Sequence, residues 1–176
     1  MNVPWVAADA IGFLGWEALT SGDLPGAEAW CEEAFQLADR TNPDLLSVAR
    51  YVMTKAALAR GDYALARAQL VLFLRDNYYN FPPVPLGLRL AGTLALRQAV
   101  GDLAQLRCAA RLFGAQDALS PCLENVIPQI EREAYQASLE ALRAALSQQE
   151  LESAWAEGLA MTTSQAIEAV MSATGL

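Results

Sequence analysis

The sequence contains no histidine, and this absence excludes several classes of enzyme before any motif is considered. Histidine is the usual general base of Ser/His and Cys/His nucleophile pairs and the commonest zinc ligand. Charged residues are also scarce, at 18% of 176 residues, against about 25% in an average soluble domain. No other nucleophile–base pair or ligand cluster stands out. The sequence therefore predicts a non-enzymatic chain with no catalytic residues, no metal and no cofactor.

Cysteines are few and do not form a pattern. Cys31, Cys108 and Cys122 are odd in number and make neither a CxxC pair nor the framework of a disulfide-rich fold. Free thiols in a reducing cytoplasm are expected, each packed as a small apolar side chain.

Basic residues are outnumbered, with 12 Lys and Arg against 20 Asp and Glu. A net charge of −8 argues against direct binding to nucleic acid or to an anionic membrane. No uncharged apolar run approaches the roughly 18 residues of a membrane span. The apolar start carries Asp9 and lacks the basic residues of a signal peptide. We predict a cytoplasmic protein.

The dipeptide Gly-Asp is present three times at a nearly constant spacing. It begins at Gly22, Gly61 and Gly101, and a repeat of this length is typical of stacked helical hairpins. Glycine ends one helix in a left-handed conformation, and the aspartate then caps the next helix by accepting a backbone N–H. Each dipeptide thus predicts a joint between two helices.

Apolar residues recur with helical periodicity between the joints, as in Leu45, Val48, Val52 and Ala56. Strand patterns are absent. Asn42-Pro43 is the expected opening of the third helix, since proline suits a first helical turn. The sequence predicts six helices in this part, at about 4–20, 24–38, 43–60, 62–76, 84–100 and 102–119.

The period is lost after Ser120-Pro121, and three shorter helices are expected in the remainder. Pro128 opens the first, while capping-box pairs open the other two: Ser147 with Glu150, and Thr162 with Gln165.

The predicted fold class is all-α: a right-handed superhelical stack of about three tetratricopeptide-like hairpins with a C-terminal three-helix cap. The hairpins would occupy residues 1–120, and residues 121–176 would form the cap of the same domain, covering the last apolar face.

Two sets of residues resemble a known family. The joint with Leu58, Gly61 and Tyr63 resembles the tetratricopeptide repeat. The later part is similar to the C-terminal end of large bacterial signal-transduction regulators, in which a STAND or AAA-type ATPase module precedes tetratricopeptide-like repeats, as in LuxR-type and MalT-like transcriptional regulators. This similarity is carried by Ala110-Arg111-Leu112-Phe113-Gly114-Ala115, Tyr135, Leu142-Arg143-Ala144-Ala145-Leu146, Ala154-Trp155-Ala156-Glu157-Gly158, Met161-Thr162 and Gln165-Ala166-Ile167.

The resemblance implies a sensory or interaction arm that binds a protein partner, an inducer or the ATPase module of the parent regulator. The chain itself lacks a GxxxxGK[ST] loop and a basic recognition helix. Neither ATPase activity nor direct DNA binding is therefore expected of this polypeptide.

In tetratricopeptide arrays the first helix of each hairpin lines a groove, and five residues off the apolar stripes are candidates for partner binding there. They are Tyr51, Lys55, Arg89, Thr93 and Arg97. A cationic stripe beside a tyrosine would suit an acidic peptide or a small anion, whereas the plainer interpretation is a solvated helix face. Two other functions stay open: a small-molecule receptor with a pocket between hairpins, and a purely structural dimerisation scaffold.

Tryptophans concentrate near the start of the chain, at Trp5, Trp16 and Trp30. An uncovered first hairpin would expose apolar surface, which marks an association site. We therefore expect homodimerisation through the N-terminal helices, with internal packing of these tryptophans as the alternative.

Overall fold

The computed structural model describes residues 4–38, 46–76, 83–120 and 127–173, and all regular structure within these ranges is α-helical. The predicted all-α class is confirmed. The helices are α1 Pro4–Thr20, α2 Leu24–Ala38, α3 Ser47–Arg60, α4 Tyr63–Asp76, α5 Pro83–Gln98, α6 Leu103–Leu119, α7 Gln129–Ala145, α8 Gln148–Leu159 and α9 Thr163–Ala173.

The sequence places these helices to within a few residues. The clearest difference is α3, which begins at Ser47 rather than at Asn42-Pro43, a dipeptide outside the described residues. The segment Tyr78 to Pro82, between α4 and α5, also lies outside the described residues.

The Gly-Asp joints have the predicted geometry. The three glycines are left-handed, with φ of +86° at Gly22, +77° at Gly61 and +75° at Gly101. Each following aspartate caps the next helix through Oδ1, which accepts the backbone N–H of Gly26 at 2.9 Å, Leu65 at 3.0 Å and Ala104 at 2.8 Å, respectively. Only glycine adopts this φ without a Cβ penalty, so the repeated dipeptide sets the position of each turn.

The two predicted capping boxes are also present. The Glu150 carboxylate accepts the backbone N–H of Ser147, whose hydroxyl accepts the backbone N–H of Glu150 in return. Thr162 and Gln165 make the same reciprocal pair. Four donors at helix starts are satisfied in this way.

The chain forms two compact units, Met1–Pro83 and Val84–Leu176. In the first unit α3 contacts α1, α2 and α4. Its core consists largely of small side chains, which let helices approach closely. These buried residues are Ala8, Ala27, Cys31, Ala34, Leu46, Ala49, Val52 and Met53.

The core of the second unit combines α5 and α6 with the later helices. Its buried residues are Ala95, Ala99, Leu106, Ala109, Ala110, Phe113, Tyr135, Leu142, Leu146 and Ala154, with Leu139 and Trp155 packed against them. The expected boundary between repeats and cap near residue 120 and the superhelical stack both stay predictions.

None of the helices that the structure describes has the length and apolarity needed to cross a bilayer.

Candidate functional site

The five predicted partner-binding residues are divided between the two units, Tyr51 and Lys55 in the first and the rest in the second. Tyr51 is buried, with its ring centroid 5.6 Å from that of Trp16 and 5.9 Å from that of Phe73. Lys55 is half-buried, and its Nζ is 5.8 Å from the centroids of both Trp16 and Tyr51. Because α3 contacts helices on several sides, Tyr51 packs as a core residue, while Lys55 makes cation–π contacts at its edge.

The other three residues follow α5 from the interior to the surface. Arg89 is only 4% exposed. Thr93 is half-buried, and its hydroxyl donates to the Arg89 carbonyl at 2.9 Å. Arg97 is exposed in the last turn of the helix. The predicted stripe is therefore exposed only at its C-terminal end. Arg89, for which we predicted partner contact with a solvated helix face as the alternative, is buried.

Arg89 is buried because polar and aromatic partners meet it inside the second unit. Its Nε donates to Gln116 Oε1 at 3.1 Å, and its guanidinium lies 4.2 Å from the ring centroid of Tyr135. The amide of Gln116 and the hydroxyl of Tyr135 both donate to Asp117 Oδ1, at 3.0 Å and 3.3 Å. We call these four residues the Arg89 cluster; it links α5, α6 and α7.

Sequence reasoning missed most of this cluster. Tyr135 was named only among the residues that carry the family resemblance, and no role was predicted for Gln116 or Asp117. The available signal was the interruption of the apolar pattern of α6 by two adjacent polar residues. Polar side chains that are buried in a helix bundle require hydrogen-bond partners.

A groove of about 420 Å³ lies beside the cluster, between α7 and α8. We call it the α7–α8 groove. Asp117 contributes to its lining, so one end of the Arg89 cluster reaches it. The groove is lined by Asp117, Leu139, Arg143, Leu151, Glu152, Trp155, Ala156 and Leu159.

The segments of α6 and α8 that carry the family resemblance contact each other where these two helices cross. An added Cβ at Gly114 would lie 2.5 Å from the Trp155 carbonyl oxygen, and one at Gly158 would lie 2.8 Å from the Ala115 nitrogen and closer still to the Arg111 carbonyl oxygen. The helices thus touch backbone to backbone, which only glycine permits.

Two ion pairs bridge the same helices across a second, more polar groove of about 800 Å³. Arg107 Nη2 is 2.9 Å from Glu150 Oε1, and Arg111 Nη1 is 3.5 Å from Glu157 Oε2. Both pairs are partly exposed, so solvent screens the attraction and each contributes little to stability. These arginines are engaged within the fold.

The described thiols are not set up for nucleophilic chemistry. Burial raises the pKa of Cys31 to about 12, with the nearby Glu28 adding to the effect. Burial also raises the pKa of Cys108, although Arg111 opposes it. The thiolate is the reactive form, so both groups are expected to be inert at neutral pH. Cys122 lies outside the described residues.

Across the described parts of the chain, no three His, Cys, Asp or Glu side chains are grouped so as to hold a metal ion. The three aspartates of the Gly-Asp joints are helix caps, as above.

The first hairpin carries exposed apolar side chains. Phe13 is 56% exposed, Leu14 47% and Trp30 37%. Trp16 is half-buried, and the side chain of Trp5 is not among those that the structure describes. These three exposed residues, which we call the N-terminal apolar patch, lie in the region for which homodimerisation was predicted.

The chain is similar to regulators from two mycobacterial species. It is 33% identical over 152 residues to proteins of Mycobacterium bovis and of two strains of Mycobacterium tuberculosis, each named "Putative HTH-type transcriptional regulator". The matched segment covers 85% of this chain and 16% of each relative, so the chain spans about a sixth of their length. No family model and no solved structure matches the chain.

Proposed function

We propose that this chain is a non-catalytic interaction and sensory segment of a bacterial transcriptional regulator. The observation that carries the proposal is the similarity over 152 residues to proteins named as HTH-type transcriptional regulators. A helix-turn-helix binds DNA by placing a recognition helix in the major groove. This chain is acidic, so in our proposal the DNA contact belongs to another part of such a regulator.

The helical hairpins support an interaction role. Tetratricopeptide-like hairpins present side chains from their helices to a protein partner, which here would be the ATPase module of a STAND-type regulator or a separate protein. Of the five predicted contact residues, Lys55 and Arg97 are the cations that reach the surface. We assign partner contact to these two, each within its own unit, and assign Arg89 a positioning role inside the second unit.

The proposed mechanism is a shift of population. A partner or inducer that binds one arrangement of the segment more tightly than another moves the equilibrium toward the first by the difference in affinity. The output module of the regulator would read that arrangement.

The proposal is tested in the bacterium that encodes the chain. We expect Arg97→Glu to change the abundance of a defined set of transcripts, measured by RNA sequencing. Arg75→Glu is the matched control, because Arg75 is also an exposed arginine in the last turn of its helix. Equal transcriptomes in wild type, Arg97→Glu and a strain with the segment deleted would contradict a regulatory role.

The non-catalytic assignment is tested with the purified chain. We expect neither ATP hydrolysis nor a shift of double-stranded DNA at physiological ionic strength, where a weak electrostatic contact is largely screened. ATP turnover or salt-resistant DNA binding by the chain alone would overturn this part of the proposal.

A further inference from the structure

The N-terminal apolar patch lies where α1 and α2 contact each other. Phe13 and Leu14 belong to α1, and Trp30 belongs to α2. An added Cβ at Gly15 would lie 3.5 Å from the Trp30 Cβ, so Trp30 begins beside the residue that follows Leu14. All three side chains of the patch are exposed. Large apolar side chains that are exposed together on two packed helices are typical of an interaction surface.

Carboxylates border the patch on both helices. Glu17 follows Phe13 by four residues and Leu14 by three, and Glu33 follows Trp30 by three. Residues at these spacings are neighbours on a helix surface, and both glutamates are exposed. No ion pair within the described residues includes either of them. The patch is therefore an apolar surface with a carboxylate rim.

The arginines of α3 contact α2 on a different face. Arg60 Nη2 pairs with Glu28 Oε2 at 2.7 Å, and the Arg50 guanidinium lies 5.8 Å from the ring centroid of Phe35. Glu28 and Phe35 are separated by two helical turns and share one face of α2. Trp30 follows Glu28 by two residues, or about 200° around the helix. These arginines therefore lie on the side of α2 away from the patch.

The charge of the rim distinguishes between occupants. Residues 1–39 contain seven Asp and Glu and no Lys or Arg. A second copy would bring the same carboxylates to the interface, and like charges that face each other cost free energy. A segment with Lys or Arg beside its apolar residues would pair with them instead. A basic amphipathic helix has both features, since its apolar residues follow one face and its charges flank them.

We propose that the N-terminal apolar patch binds a basic amphipathic helix of a partner protein. The apolar face of that helix covers Phe13, Leu14 and Trp30, and its Lys or Arg side chains pair with Glu17 and Glu33. Because a second copy would use the same patch, the helix displaces it from the predicted homodimer. The inference rests on the proposed function for its biological meaning, since the helix would belong to the protein partner of the interaction segment.

Binding is tested on the full chain with two peptides. The first repeats Leu-Lys-Lys-Leu-Leu-Lys-Leu twice, and the second has Glu in place of each Lys. By fluorescence anisotropy of labelled peptide, we expect the basic peptide to bind with a Kd on the order of 10 μM and the acidic peptide at least about tenfold more weakly. Higher salt should weaken the first interaction, because it screens exposed charges. Equal binding of both peptides, or binding of neither, would overturn the proposal.

Charge variants separate this site from general attraction to an acidic protein. Glu17→Gln with Glu33→Gln retains the size of both side chains and removes the rim charges, and we expect it to weaken basic-peptide binding about fivefold. Glu140→Gln with Glu168→Gln removes the same charge from exposed positions of the second unit and should leave the Kd unchanged. Equal effects of the two double variants would refute the site.

The apolar contact and the competition with a second copy are tested next. Leu14→Ser should weaken binding of the basic peptide about fivefold, whereas Leu103→Ser, at a similarly exposed leucine of the second unit, should not. In sedimentation equilibrium, a saturating amount of basic peptide should convert a dimer to a peptide-bound monomer. A dimer that persists at that peptide concentration would assign the patch to a second copy and contradict the proposal.

The two proposals fail in different ways. Peptide binding that depends on Glu17 and Glu33, together with unchanged transcripts in the segment-deletion strain, would leave the docking site intact and refute the regulatory role. A transcriptional effect of that deletion without peptide binding would do the reverse.

Discussion

At the scale of single residues, several polar side chains in the described parts of the chain form helix caps or links between helices. Glu150 does both, since it completes the capping box with Ser147 and pairs with Arg107 across α6 and α8. Hydrogen bonds from the Ser147 side chain and backbone, with a smaller contribution from Arg107, lower the pKa of Glu150 below its ordinary 4.5.

This lowered pKa gives a pH dependence of known sign. The contribution of Glu150 to the free energy of unfolding is fully present above pH 4.5 and is lost as pH falls through the lower folded pKa. We expect Glu150→Gln to reduce the acid-induced loss of stability below pH 4.5, measured by urea unfolding at a series of pH values. Ser147→Ala should remove more of this pH dependence than Arg107→Met; the opposite order would contradict the assignment of causes.

Residue-scale features were only partly accessible from the sequence. The aspartate caps and both capping boxes follow from local spacing, and the structure confirms them. The burial of Arg89 does not follow from local spacing. Its partners Gln116 and Tyr135 are 27 and 46 residues away in the chain and contact it only after the helices pack. A polar residue every four positions along α5 is compatible with a solvated face or with a buried cluster.

At the scale of helices, the crossing of α6 and α8 depends on two glycines. A Cβ at Gly158 would meet backbone atoms of Arg111 and Ala115, and backbone cannot rotate away as a side chain does. Overpacking of this kind costs about 1–3 kcal/mol, more than the roughly 1 kcal/mol that alanine gains over glycine in a helix.

We therefore expect Gly158→Ala to lower the free energy of unfolding by up to about 2 kcal/mol, which is the cost of overpacking less the gain in helix propensity. Chemical denaturation monitored by circular dichroism measures this difference. Ser153→Ala, at an exposed position of the same helix, is the control and should stay within about 0.5 kcal/mol of wild type. A stabilised Gly158→Ala protein would show that the two backbones are not in contact.

Helix positions were predictable because the signals are local. Left-handed glycines and capping aspartates fix the turns between α1 and α2, α3 and α4, and α5 and α6. The close approach of α6 and α8 was not derivable, because a glycine in a helical pattern reports tight packing without naming the helix it contacts. The predicted stack of hairpins depends on long-range geometry and stays a prediction.

At the scale of the whole molecule, the prediction of homodimerisation concerns the N-terminal apolar patch, where Phe13, Leu14 and Trp30 are exposed. The α1 helix carries apolar residues on most of its faces, and such helices are generally covered. We expect the purified chain to form a dimer that Phe13→Ser with Leu14→Ser converts to a monomer, as measured by sedimentation equilibrium.

Leu103→Ser is the control for that experiment, since Leu103 is a similarly exposed leucine, at 41%, in the second unit. It should leave the dimer intact. A wild-type chain that is monomeric at every concentration would contradict the patch as a dimer interface.

The short joints between paired helices have a consequence for the synthesis of the chain. A turn of three residues joins α1 to α2, and a turn of two joins α3 to α4. The contacts within each pair therefore form between neighbours in sequence. Helical elements with local contacts fold in microseconds to milliseconds, whereas the ribosome adds only about 5–20 residues per second. Each of these two hairpins can therefore form as soon as its second helix leaves the exit tunnel, whereas the face of α6 that packs against α8 stays uncovered until α8 has been made.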